Sequence, residues 1–133
     1  MNTHRFAAWI SISAVAIAIV AALVFIGSPA EQRQLRLDAQ RVDDLTRLAS
    51  AVNRYWDERG ALPASADELV DGRRLTRLPL DPSTDQPYEY RVIDMRRFEL
   101  CATFTRRSRE EDTGDFWFHE AGRRCFSFDT PAR

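Results

Sequence analysis

The residues with chemical potential in this chain are few: two histidines, two cysteines and one acidic loop. His119, with Glu120 beside it, has the side-chain type of a general base. No serine or cysteine motif marks a nucleophile for it to activate, so a surface or turn histidine is expected. His4 sits at the edge of an apolar run, where catalysis is not expected. Glu110, Glu111, Asp112 and Asp115 form an oxygen-rich loop of the kind that can hold calcium. Their spacing matches no defined calcium loop, and Arg106, Arg107 and Arg109 adjoin them, so a solvated loop is expected. Cys101 and Cys125 do not make a C-x-x-C redox motif, and with two distant histidines they do not make a zinc spacing. Every basic residue besides histidine is arginine, which removes Schiff-base and lysine-nucleophile chemistry. The net charge of −1 supplies no basic excess for a nucleic-acid backbone. The expectation is a non-enzymatic chain with no catalytic residues, cofactor or metal, and without nucleic acid among its partners.

Aromatics offer a second kind of function. Three consecutive residues, Phe116, Trp117 and Phe118, cannot all face one side of a strand. Either they belong to the sheet core with Phe126 and Phe128, or part of the triplet forms a partner-binding ridge.

The N-terminal segment decides the chain's location. Residues 1–5 form a short head, and from Phe6 to Gly27 there is no charged side chain. These residues, about 22 of them, make a helix ~33 Å long, enough to cross a hydrocarbon core. A retained transmembrane anchor over 6–27 is expected; Ser28-Pro29-Ala30 offers the cut site that a cleaved signal would need. Arg33, Arg36, Arg41 and Arg47 follow the anchor closely, a bias that by itself marks the cytoplasmic side. The short head and the cysteine pair argue the other way. A single-pass inner-membrane protein with its C-terminal domain in the periplasm is the expected arrangement. Ala14, Ala18 and Ala22 recur at four-residue steps, a spacing that permits close helix approach in a bilayer.

About 105 residues follow, enough for one domain with a small core, and 28–133 is read as that domain. From 31 to 59 the apolar residues Leu35, Val42, Leu45, Leu48, Val52 and Tyr55 fall at helical steps, with Ala49 and Trp56 beside them. Arg41, Asp44, Arg47, Arg54 and Asp57 are assigned to the opposite, solvated face. Gly60 and Pro63 end the helix. Pro29 either kinks the join to the anchor or occupies the first turn of this helix. Ser65-Ala66-Asp67-Glu68 reads as a capping box for a short helix over 66–71, stopped by Gly72.

The period then changes to two. Tyr88, Tyr90 and Val92, then Phe98, Leu100, Ala102 and Phe104, alternate with polar residues; Phe116–Phe118 and Cys125–Phe128 read as two more short strands. An antiparallel sheet of three or four strands over 88–128 needs a cover, and the stripe of the long helix is the available surface. The fold class is therefore α+β. If Phe98, Leu100, Phe126 and Phe128 face the helix, Cys101 and Cys125 share the outer face of the sheet. A bridge between them would close a loop of about 25 residues, worth roughly 3 kcal/mol.

This layout resembles the type IV pilin and pseudopilin family. Leu78-Pro79-Leu80-Asp81-Pro82 followed by Gln86-Pro87-Tyr88-Glu89-Tyr90 looks like the "LP-x-DP…G-x-PY-x-Y" segment of the major pseudopilin of type II secretion. Tyr55 with Gly60-Ala61-Leu62-Pro63 is also similar to that family, so the resemblance covers about residues 55–90. It implies a membrane helix continuing into an amphipathic helix laid on a small antiparallel sheet. The glutamate that such subunits carry inside the membrane run has no counterpart between Phe6 and Ala30. The implied role is interaction or scaffolding in the bacterial cell envelope, with the lipid bilayer and an envelope protein or a second copy as partners. The alternatives are a working pseudopilin or minor pilin of a secretion or pilus machine, and an envelope enzyme or ligand sensor.

Overall fold

The computed structural model describes residues 3–26, 28–109 and 114–131. Met1 and Asn2 of the expected head, and Glu110, Glu111 and Asp112 of the acidic loop, lie outside the described residues. The chain divides into two compact units, Met1–Arg33 and Gln34–Arg133.

The first unit is dominated by α1, Thr3–Ile26. At 24 residues it is long enough to cross a membrane. Its described apolar side chains, among them Trp9, Ile17, Val20 and Phe25, are exposed. The helix starts inside the segment assigned to the head. α2, Pro29–Arg59, begins two residues before the apolar pattern suggested. Ser28 explains the difference. Its Oγ accepts from the Glu31 N–H at 3.2 Å, while Glu31 Oε2 accepts from the Ser28 N–H at 3.3 Å. That reciprocal pair is a capping box, and it leaves Pro29 at the first helical position, where its missing N–H costs nothing.

In the second unit α2 covers a three-stranded antiparallel sheet of order β1-β2-β3: β1 Glu89–Val92, β2 Arg97–Phe104 and β3 Gly122–Asp129. The core joins Leu45, Leu48, Ala51, Val52 and Tyr55 of α2 to Phe98, Leu100, Phe104 and Phe126 of the sheet, with Val42 and Phe128 packed at its margin. The helix and the sheet are two layers, each burying its apolar face against the other. Gly60, at a φ of 70°, stops α2 in the left-handed region and returns its N–H to the Trp56 carbonyl.

The register sorts the side chains into two faces. Tyr90, Leu100 and Phe126 align across the inner face, as do Val92, Phe98 and Phe128. Glu89, Cys101 and Cys125 align across the outer face, as do Arg91, Glu99 and Ser127.

Three local expectations are corrected. Residues 66–71 do not form a capped α-helix: a single 3-10 turn spans Ala66–Leu69, and the Ser65 side chain makes no capping bond. Glu68 instead accepts from the Ala64 N–H and from the Tyr55 hydroxyl, which ties the turn to α2. Phe116–Phe118 is not a strand but part of a turn closed by the Phe118 N–H on the Asp115 carbonyl. Arg41 and Asp44 are not on a solvated face; both are buried.

Candidate functional site

The buried Arg41 is the principal polar feature of the domain. Its side chain is in phase with Leu45, Leu48 and Val52, and it is only 3% exposed. Its Nε donates to Asp81 Oδ2 at 2.6 Å and its Nη2 to Asp81 Oδ1 at 3.1 Å, a two-pronged grip on the carboxylate. Nη1 donates to Asp38 Oδ1 at 2.6 Å and to Thr105 Oγ1 at 3.0 Å, and Nη2 also reaches Ser83 Oγ at 2.8 Å. Each carboxylate has further partners. Asp38 accepts the N–H groups of Thr105 and Arg106, both at 2.9 Å. Asp81 accepts those of Ser83 and Thr84. The guanidinium therefore fastens three segments: α2, the Leu78–Pro87 loop and the end of β2.

Electrostatics follow from this geometry. Burial alone would raise the Asp81 carboxyl, but Arg41 and the two loop N–H groups outweigh it and hold it below the usual carboxylate range. Asp44 is the opposite case. Its burial raises it, although the Tyr88 hydroxyl donates to it at 3.1 Å. Among the described residues the charged groups here are paired with one another: Arg41 with Asp38 and Asp81, and Asp44 with the Tyr88 hydroxyl.

His119 is corrected from a surface or turn residue to a buried one, 6% exposed. Its ring stacks on Phe104 at a centroid distance of 3.6 Å. Its backbone pairs with Ser108, whose N–H donates to the His119 carbonyl at 2.9 Å. Burial pushes its imidazole below the ordinary histidine value. Glu120, beside it, pairs with Arg107 at 3.2 Å. Asp115 is exposed and serves the turn through its carbonyl. His4 lies within α1.

Cys101 and Cys125 form a disulfide across β2 and β3. Glu89 and Arg123 bridge over it on the outer face, joined by two hydrogen bonds of 2.9 and 2.7 Å. Cys101 is only 2% exposed as a result.

The aromatic triplet divides. Phe116 is 52% exposed, while Trp117 and Phe118 are partly buried. Phe116 and Trp117 both pack on Phe126 and Phe128, with centroid distances between 4.9 and 5.8 Å. Arg107 lies over the Phe118 ring. Phe116 is thus the most exposed of the three.

Of these features, the sequence reading missed the Arg41 cluster. The signal was present: Asp38, Arg41 and Leu45 continue the same three- and four-residue steps as the core stripe. No family model matches this chain, and no curated protein or solved structure matches it significantly.

Proposed function

We propose that this chain is a single-pass inner-membrane protein whose periplasmic, pilin-like domain acts without catalysis, as an interaction or scaffolding module of the bacterial cell envelope. The observation that carries this reading is α1. An uncharged run from Phe6 onward, with exposed apolar side chains from Trp9 to Phe25, is stable in lipid and costly in water. The second unit supports it. Its buried charges are committed to holding α2 on the sheet, and the disulfide suits an oxidising compartment. Phe116, exposed beside Trp117, gives the domain an aromatic contact point.

A second reading, a pseudopilin or minor pilin of a secretion or pilus system, draws on one specific contact. Asp81 of the Leu-Pro-Leu-Asp-Pro segment is the residue that grips α2 through Arg41, which gives that segment a structural role.

Alkaline extraction of membranes, with protease added to intact spheroplasts, tests the first reading. The full chain stays with the membrane pellet, and external protease removes its C-terminal domain. Release into the supernatant, or protection of the domain, refutes it. Recovery of the chain in sheared filaments would instead establish the second reading.

A further inference from the structure

Among the described residues, the sheet ends on one side at β3 with no further strand beside it. β1 is four residues long and preceded by Pro87, so it is a poor template for another strand. β3 is eight residues long with no proline before Pro131. The phase of its backbone can be read from its neighbours. The Ile93 N–H bonds to the Arg97 carbonyl, so the odd-numbered residues of β2 serve β1 and the even-numbered ones serve β3. The Thr130 N–H on the Arg96 carbonyl follows the same phase. The Cys101–Cys125 pair has a Cα separation of 4.0 Å, as expected of a pair without direct hydrogen bonds. The N–H and C=O groups of Arg123, Cys125, Ser127 and Asp129 therefore point away from β2. Among the described residues no loop backbone bonds to them.

We infer that this edge pairs with the same strand of a second copy, antiparallel and centred on Phe126, to give one continuous six-stranded sheet. Two constraints select that register. A two-fold axis perpendicular to the sheet keeps inner residues opposite inner residues, which allows only pairings of like parity. Of these, the one centred on Phe126 sets Arg123 against Asp129 at both ends, so opposite charges meet twice on the outer face. It also sets Cys125 against Ser127, and on the inner face Arg124 against Phe128. Centring one residue earlier would put Arg123 against Ser127; centring one later would leave Arg123 without a partner strand. The chosen pairing uses all four outward-facing residues and forms about eight backbone hydrogen bonds. It deepens the proposed function, on which it rests, by naming a second copy as the partner. A strand edge alone buries less than a stable soluble complex needs. The pairing is therefore weak and is read at the high local concentrations reached in a bilayer.

The test is single-molecule subunit counting on the full chain in lipid bilayers. Wild-type protein counts as two. Ser127→Pro removes an N–H that β2 does not use, so the protomer keeps its fold. Its dimer population falls at least about tenfold, the effect of losing little more than one hydrogen bond's worth of ladder. Arg123→Asp alone and Asp129→Arg alone each count as one, because each sets like charges together twice. Mixed together they count as two, because the mutant ends are complementary. Circular dichroism and retention of the disulfide confirm that each variant is folded. Wild-type protein that counts as one, a dimer indifferent to Ser127→Pro, or failure of the two folded charge variants to complement overturns the inference. A chain found in the membrane but counting as one would overturn this pairing while leaving the proposed membrane module intact.

Discussion

Replacing Arg41 by methionine keeps the side-chain volume and removes the guanidinium. Five hydrogen bonds disappear: two to Asp81 and one each to Asp38, Thr105 and Ser83. Two carboxylates are then left in the interior without a cation. Breaking a buried ion pair in this way typically costs about 3–5 kcal/mol. The lower end applies here, because Asp38 keeps two backbone N–H donors and Asp81 keeps two more. A loss of about 3 kcal/mol is a large part of the stability of a domain this size and lowers its Tm by roughly 12–24 °C. Neutralising the carboxylates as well, in Arg41→Met with Asp38→Asn and Asp81→Asn, removes the stranded charge and recovers most of the loss. The pH dependence has a definite sign. Asp81 is held low in the folded protein, so its contribution is present above the unfolded-state pKa, about 3.9, and is lost as pH falls through the lower folded value. The penalty in Arg41→Met accordingly shrinks in acid, as Asp81 takes up a proton. Urea unfolding of the full chain in nanodiscs, followed by near-UV circular dichroism, measures all of this. A loss below about 1 kcal/mol, or a triple variant no more stable than the single one, would refute the reasoning.

Three further outcomes are expected. Leu48→Ala, which empties a 3%-exposed position at the helix–sheet interface, destabilises the domain by roughly 2–5 kcal/mol in the same unfolding assay. Cys101→Ala with Cys125→Ala opens a loop of sequence separation 24 and costs about 3 kcal/mol, seen as a lower urea midpoint that reductant no longer changes. His119→Phe keeps a ring on Phe104 and removes a buried base. The wild-type imidazole titrates lower folded than unfolded, so wild-type stability falls as pH drops below about 6.5, and the variant lacks that slope.

The sequence made the periodic parts of the fold legible. Leu45, Leu48 and Val52 recur at helical steps, and Phe98, Leu100 and Phe126 alternate at strand steps; hydrophobic burial acts on those periods directly. The cysteine register was legible for the same reason, since strand parity fixes which face a side chain takes. Arg41 was assigned by its charge rather than by its phase. Burial of an arginine becomes affordable only when two carboxylates converge on it, and Asp81 arrives from forty positions away. Ser28 was missed as a cap because the apolar anchor before it dominated the pattern, although Glu31 at the third position completes the box. Phe116–Phe118 resembles a strand in composition, but Phe116 and Trp117 curl onto Phe126 and Phe128 from a turn. His119 gave no sign of burial because its cover, Phe104, sits on another element.

Hydrogen–deuterium exchange of the full chain in lipid nanodiscs tests the central claim most directly, because it reports on both units at once. On the proposed reading, amides of α1 should stay protected at urea concentrations that unfold the domain, since lipid would cover them. Amides of α2 between Leu45 and Tyr55 should exchange together with those of β2 and β3, at one common free energy. Rapid exchange throughout α1, or an α2 that opens while the sheet remains protected, would contradict a lipid-embedded helix followed by a domain whose sheet is held by α2.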